Sequence, residues 1–372
     1  MGKCCSKCQL KDADNDNSLT LLLSSGKLFP SVSENPVYPI PEEIDRLQTL
    51  HYLFRSLWQS NYSSPIEDSL TSGGLHVLDV GCGPGTWILE MATTYKLSHF
   101  TGVDISTMFP NEVKPRNVAF VEGNLRKGLN FADNTFDFVY MRCSAMEYTD
   151  KQWEETVINE LIRVTKPGGW IEFMEMDIRF ENQGPAASQL QNFYEGFSHS
   201  KGVNNVTSLF SRIPRYLEAT NQMNTSQVHR EERKEPIGKW GGRFGELAIN
   251  NFATFYRLIR QHLVPIMGIT NDQYEEIVET FIKEVEEHKT YAISSRVFAQ
   301  KKGGDESLQM QKQPQILSTS PQVIFNAEIA ASSSSSHGWL QSEQSTSHHS
   351  RFGSVQSTGQ SIEESIELAQ LE

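Results

Sequence analysis

The sequence of 372 residues lacks any apolar run close to the roughly 18 residues that a membrane-spanning helix needs. No apolar stretch of signal-peptide length follows its start. Positive charge is also scarce, because 33 lysine and arginine residues face 46 aspartate and glutamate residues, for a formal net charge of -13. Nucleic-acid binding requires clustered basic side chains that neutralise phosphates. We therefore expect neither a bilayer-spanning segment nor a nucleic-acid-binding surface.

The few cysteines fall into two groups. Cys82 lies in a glycine-rich turn and Cys143 just after a predicted strand, which indicates reduced thiols in a cytosolic compartment. Cys4, Cys5 and Cys8 lie near the start, and three thiolates without a nearby fourth ligand make a poor closed zinc site. We therefore expect no metal site.

The first residues, MGKCCSK, fit the M-G-x-x-x-S/T pattern of N-myristoylation, with Gly2 as the acylated residue. A single myristoyl chain binds membranes only marginally, so a stable anchor requires a second signal. Palmitoylation of Cys4 and Cys5 would supply that signal. We expect peripheral association with the cytoplasmic face of a membrane. The alternative is a flexible terminus with reactive cysteines, on a protein of the cytosol or nucleus.

The segment HVLDVGCGPGTW, residues 76–87, predicts a strand, a glycine turn and a helix in that order. Gly81, Gly83 and Gly85 form the turn. Glycine lets the backbone turn sharply and approach a ligand closely, and the start of the helix adds a cluster of N–H groups. A small cofactor is therefore expected over this turn.

Two acidic residues indicate which cofactor it is. Asp79 lies two residues before the first glycine, and Asp104 ends a second predicted strand in HFTGVDIS. The dinucleotide fingerprint G-x-G-x-x-G has a different glycine spacing. The spacing here fits S-adenosylmethionine better than NAD. Asp79 would hold the ammonium of its amino-acid part, directly or through water, and Asp104 would accept both ribose hydroxyls.

The segments VLDVGCGPGTW, TGVDIS, FDFVYMR and KPGGWIEF resemble the ordered motifs of class I S-adenosylmethionine-dependent methyltransferases. ISTMFPNEVKPRNVAFVEGN and EEIDRL are similar to the fungal branch that includes the velvet-complex regulator of secondary metabolism. The resemblance spans residues 38–301. It implies an α/β fold, with a Rossmann-like, doubly wound sheet of seven strands whose last strand is antiparallel. It says little about the methyl acceptor.

The resemblance implies further site residues. Related methyltransferases carry an acid that accepts a hydrogen bond from the adenine amino group, and here Asn124 keeps the acceptor but loses the charge. Arg142, at the end of the fourth predicted strand, faces the cofactor or the acceptor, and we include it among the cofactor-binding residues. Glu175, at the end of the fifth strand, is the candidate catalytic residue. His51, on an amphipathic helix that precedes the sheet, is expected to be a packing or surface residue.

The chain divides into three parts by composition. Residues 1–35 form a flexible arm, 36–301 a single catalytic domain, and 302–372 a disordered Ser/Gln-rich tail with a possible protein partner. Within the domain, residues 186–220 predict a helical insertion that covers the substrate pocket. Pro265 is expected to end a long helix.

These patterns predict an S-adenosylmethionine-dependent methyltransferase that acts on a small-molecule or protein acceptor. Orientation of the reactants accounts for much of such catalysis, and a general base is needed only when the acceptor arrives protonated. The alternative is a regulatory module that binds the cofactor, acts through partner proteins and transfers no methyl group.

Overall fold

A computed structural model describes residues 41–303, except for residues 111, 201 and 204–208. The predicted arm 1–35 with its lipidation sites Gly2, Cys4 and Cys5 lies outside the described residues, as does all but the start of the predicted tail 302–372. Within the described range, no helix has both the length and the apolar character needed to cross a bilayer.

One seven-stranded sheet forms the centre of the fold. Its strands are β1 (His76–Val80), β2 (His99–Asp104), β3 (Val118–Glu122), β4 (Phe136–Arg142), β5 (Thr165–Glu181), β6 (Met223–Pro236) and β7 (Tyr291–Lys301). Their order is β3-β2-β1-β4-β5-β7-β6. The first five strands pair in parallel, and β7 runs antiparallel to both of its neighbours. The prediction of a doubly wound Rossmann-like sheet with an antiparallel last strand is confirmed.

Helices flank this sheet. They are α1 (Pro41–Trp58), α2 (Glu67–Ser72), α3 (Thr86–Thr94), α4 (Asp150–Gln152), α5 (Ile158–Val164), α6 (Pro185–Ser200), α7 (Leu209–Ala219), α8 (Gly242–Met267) and α9 (Asn271–His288), with a π-helical turn, Trp153–Val157, between α4 and α5. Capping boxes at Thr149 and Thr270 start α4 and α9, as the sequence predicts.

Apolar layers cover both faces of the sheet. On β1, Leu78 and Val80 pack into one cluster and Val77 into the other. On β4, Val139 belongs to the first cluster and Phe138 to the second. Successive strand side chains point to opposite faces, so a strand covered on both sides needs a nearly continuous apolar run.

The end of α8 differs from the sequence prediction. The helix continues through Pro265 to Met267, so the expectation that Pro265 ends it was wrong. Gly268 ends it instead, with a left-handed φ of 65°, and its N–H donates to the Val264 carbonyl at 3.0 Å. This bond closes the last turn of the helix. Pro265 has no N–H, so the helix contains one backbone hydrogen bond fewer at that residue and still continues to Met267.

A buried ion pair ties the last residue of α1 and the segment after it to the sheet. Arg296 is 1% exposed and Glu172 is 0% exposed, and their side chains approach to 3.7 Å. Glu172 accepts from the Ser64 N–H and hydroxyl at 2.8 and 2.7 Å, and Arg296 donates to the Ser60 carbonyl at 2.7 Å. The Arg296 guanidinium also lies 4.5 Å from the ring centroid of Trp58. The segment that follows α1 is thereby tied to β5 and β7.

Candidate active site

The site lies where the strand order reverses, beyond the carboxyl ends of β1 and β4. Ligands of open α/β sheets bind at this switch point. A cavity of about 190 Å³ opens there, and Gly81, Gly83, Arg142 and Glu175 contribute to its lining. A second, narrower cavity of about 20 Å³ adjoins the same turn and is lined in part by Asp104, Asn124 and Gly81. The structure thus gathers six predicted site residues around these two cavities.

The glycine turn keeps its N–H groups for bonds inside the protein. Gly81, Gly83 and Gly85 have left-handed φ values of 72°, 56° and 78°, which glycine adopts without strain. The N–H of Gly81 donates to the Val103 carbonyl at 2.7 Å, and that of Gly85 donates within the turn at 2.9 Å. The N–H of Gly83 donates to the Asp104 carboxylate at 2.7 Å. A pyrophosphate would need such N–H groups, so the turn suits a nucleoside without phosphates.

The two predicted cofactor acids occupy different surroundings. Asp104 is 2% exposed, and its Oδ1 accepts from the Ser106 N–H at 2.9 Å and hydroxyl at 2.8 Å. Its carboxylate therefore ties the end of β2 to the glycine turn while lining the narrower cavity. Asp79 lies on β1, is 1% exposed and lines neither of the two cavities. The ammonium contact assigned to Asp79 stays a prediction.

Asn124 has a structural partner that the sequence analysis missed. Its side-chain carbonyl accepts from the Arg126 N–H at 3.0 Å and caps the short 3₁₀ helix Leu125–Lys127. Arg126 lies over the ring of Tyr148, 5.1 Å from its centroid, and both residues line the narrower cavity. An adenine amino group would therefore share the Asn124 carbonyl with the backbone. The signal in the sequence was an asparagine just after a strand, a residue that favours helix N-caps.

A hydrogen-bonded chain orients Arg142. Its Nη1 lies 3.0 Å from His51 Nδ1. Arginine only donates, so Nδ1 is the acceptor and the proton resides on Nε2, which donates to Glu90. Burial, reinforced by the neighbouring Arg142, lowers the pKa of His51 to about 4, so the ring is neutral at pH 7. Glu90 also pairs with Arg55 at 2.8 Å.

The sequence predicts that His51 is a packing or surface residue. It is buried, as a packing residue would be, but it also lines the larger cavity. The available signal was the spacing of His51 and Arg55, which puts both side chains on one face of α1.

Glu175, the candidate catalytic residue, lines the larger cavity at the carboxyl end of the parallel strands. Its carboxylate accepts from the N–H groups of Ala145 at 2.9 Å and Met176 at 3.2 Å. Burial raises its pKa to about 7, against the opposing effect of these hydrogen bonds. A carboxylate with this pKa can accept and release a proton near neutral pH.

The predicted insertion contributes to the wall of the larger cavity. Tyr194 of α6 and Phe210 of α7 line it, together with Phe252 and Phe255 of α8. Tyr194 meets Phe255 edge to face, with ring centroids 5.6 Å apart. The cavity lining therefore combines aromatic side chains with the polar strand ends.

Comparison with known proteins agrees with this geometry. Residues 77–169 match the family model of a methyltransferase domain. The secondary metabolism regulator laeA of Coprinopsis cinerea is 28% identical over 41% of this chain and 38% of its own. The N-methyltransferase sirN of Leptosphaeria maculans is 28% identical over 65% of this chain and 85% of its own. The chain thus spans well under half of the first relative and most of the second.

A solved structure is also similar. It is phosphoethanolamine N-methyltransferase 2 of Haemonchus contortus in complex with S-adenosyl-L-methionine, at 16% identity and a TM-score of 0.39, with 74% of this chain and 62% of that chain covered. The matched family model covers the glycine turn and ends at Gly169, in the first part of β5. Residues 77–169 therefore carry a methyltransferase domain, and the chain is similar to fungal methyltransferases and secondary metabolism regulators.

Proposed function

We propose that this chain transfers a methyl group from S-adenosylmethionine to an acceptor bound in the larger cavity. The observation that carries the proposal is a glycine turn with internally bonded N–H groups that opens onto a cavity containing a proton acceptor, Glu175. When bound, the cofactor supplies an electrophilic methyl carbon, and its sulfur keeps the electron pair of the broken bond. The protein supplies placement and, for a protonated acceptor, a base.

We assign each part of the cofactor to a residue in or near the two cavities. Asp104 would accept the ribose hydroxyls, Asn124 the adenine amino group, and Arg142 would hold the carboxylate of the amino-acid part. Asp79 would act on the ammonium through water. Arg142 suits its role because the bond to His51 holds its guanidinium at the cavity wall.

The names of two similar proteins bear on the identity of the methyl acceptor. One is named an N-methyltransferase, and another a regulator of secondary metabolism. The acceptor is a small molecule or a protein, and the cavity of about 190 Å³ suits a small molecule or a single side chain.

Turnover of the cofactor separates this enzyme from the regulatory alternative. S-adenosylhomocysteine formation would be measured in a lysate supplied with the wild-type chain, with Gly83→Asp or with Gly196→Asp. Gly83 has a φ of 56° in the turn, whereas a Cβ at Gly196 would meet nothing within 4 Å. We expect product with wild type and Gly196→Asp and none with Gly83→Asp. Binding of the cofactor without product would favour the regulatory module.

We propose separately that Gly2 is myristoylated and that Cys4 and Cys5 are palmitoylated, which would hold the chain on the cytoplasmic face of a membrane. The support is the sequence pattern MGKCCS. Membrane fractionation of wild type and Gly2→Ala tests this proposal. Equal soluble fractions of the two proteins would refute it.

A further inference from the structure

The larger cavity carries an excess of negative side chains. Its charged lining consists of the carboxylates of Glu43, Glu147, Glu175 and Asp177 and the guanidinium groups of Arg46 and Arg142. Four acids against two bases favour a cationic ligand over an anionic one, because low-dielectric walls strengthen the field inside a cavity.

Glu175 differs from two of the other carboxylates in its partners. Glu43 pairs with Arg46 through two bonds of 2.6 and 2.8 Å. Asp177 accepts from Arg179 Nε at 2.6 Å. Glu175 accepts from backbone N–H groups, and in the part of the chain that the structure describes no basic side chain lies within ion-pair distance of it. Its charge is therefore available to a ligand.

The walls next to this carboxylate are aromatic. Tyr194, Phe210, Phe252 and Phe255 line the same cavity. The guanidinium of Arg46 already lies over the Phe255 ring, 5.5 Å from its centroid. Aromatic faces attract cations, and they do so more strongly away from water. An ammonium group in the cavity would gain from both the rings and the carboxylate.

We propose that the methyl acceptor is a basic amine on an apolar scaffold, bound as an ammonium by Glu175 beside this aromatic wall. The inference rests on the proposed function and names its substrate class. The ammonium N–H bond breaks, its electron pair stays on nitrogen, and the proton is bound by a Glu175 oxygen. The lone pair of the neutral nitrogen would then form the bond to the methyl carbon as the sulfur–carbon bond breaks with its electron pair left on sulfur, so the products would be a methylated ammonium and neutral S-adenosylhomocysteine. A carboxylate acceptor would be repelled by the acidic lining, and an alcohol would gain no charge attraction.

The protonation states of the lining give the proposal a pH signature. Burial raises the pKa of Glu175 to about 7, so its charge appears between pH 6 and pH 8. Burial holds the pKa of His51 at about 4 and raises that of Tyr194, so both stay neutral over this range. The other titratable groups of the lining are the carboxyls of Glu43, Glu147 and Asp177, the guanidinium groups of Arg46 and Arg142, and the thiols of Cys82 and Cys143. Burial also raises the pKa of Asp177, whose carboxylate pairs with Arg179. Amine binding should therefore strengthen with the ionisation of Glu175.

Three probes of one scaffold test the inference. Tryptamine, tryptophol and indole-3-propionic acid would be titrated calorimetrically into the full chain at pH 6 and pH 8, with and without saturating S-adenosylhomocysteine. We expect tryptamine to bind at least about tenfold more tightly than tryptophol at pH 8, with a smaller preference at pH 6. Glu175→Gln should remove the preference. Glu231→Gln, which changes an exposed carboxylate of β6 outside the cavity lining, should retain it.

Several outcomes would overturn the amine assignment. These are no binding of tryptamine, equal binding of tryptamine and tryptophol, tighter binding of the acid, or a preference that survives in Glu175→Gln. The heat of S-adenosylhomocysteine binding is measured separately, so a failure of the cofactor to bind counts against the proposed function. The titrations without cofactor still decide whether the cavity selects an amine.

Discussion

Replacing Glu235 with glutamine should stabilise the chain at alkaline pH. Glu235 lies on β6 opposite Ala292 and is 0% exposed. Neither of its carboxylate oxygens has a hydrogen-bond partner among the described residues. Burial alone raises its pKa from 4.5 to about 8. A buried carboxyl in these surroundings is stable only while it is protonated.

The size of the effect follows from proton linkage. Below pH 4.5 the carboxyl is protonated in both states and contributes no pH dependence. Between pH 4.5 and 8 the unfolded chain loses this proton while the folded chain keeps it, so the unfolding free energy falls by about 1.4 kcal/mol per pH unit. Above pH 8 the accumulated loss for Glu235 is about 5 kcal/mol. That loss is comparable with the whole stability of many domains.

Urea unfolding of wild type, Glu235→Gln and Glu231→Gln from pH 5 to pH 9 measures this loss. Glu231 is exposed on the same strand, so its variant should follow the wild type. The gap between Glu235→Gln and wild type should be small at pH 5 and widen by several kcal/mol by pH 9. Parallel pH profiles for these two proteins would refute the assignment of a buried, unpartnered carboxyl.

Two further predictions concern the supports of the site. His51→Ala should weaken S-adenosylmethionine binding about tenfold, because it removes the hydrogen-bond acceptor that holds Arg142. His51→Gln keeps one acceptor and one donor, so it should lose less affinity. Equal calorimetric affinities for wild type and both variants would contradict this prediction. Glu172→Ala should lower the unfolding free energy by about 3–5 kcal/mol, because it leaves Arg296 buried without its carboxylate. A urea unfolding midpoint of Glu172→Ala equal to that of the wild type would contradict this predicted fall in the unfolding free energy.

The local parts of the fold were predictable because short-range patterns determine them. The order of strand, glycine turn and helix at residues 76–87 follows from apolar runs and glycine spacing. The capping boxes at Thr149 and Thr270 depend only on the threonine and on the glutamine three residues later. The run HFTGVDIS predicts a second strand that ends at Asp104, and β2 ends at that residue.

The missed features depend on contacts between distant parts of the chain. Arg142 and His51 are 91 residues apart, so no local pattern reveals their bond. Glu235 belongs to the charged run HREERKE, a composition typical of a solvated strand. Its burial follows instead from where the end of β6 pairs with β7. Local charge indicates exposure only when tertiary packing leaves the strand uncovered.

Calorimetric titration of S-adenosylmethionine into wild type, Asp104→Ala and Ser106→Ala tests the central claim most directly. Ser106→Ala removes a hydroxyl that bonds Asp104 Oδ1 at 2.8 Å but keeps the carboxylate, so it controls for a local change. We predict that wild type and Ser106→Ala bind one equivalent of the cofactor and that Asp104→Ala binds at least about tenfold more weakly. Equal binding by all three proteins, binding by none, or tighter binding of NAD by the wild type would contradict the account.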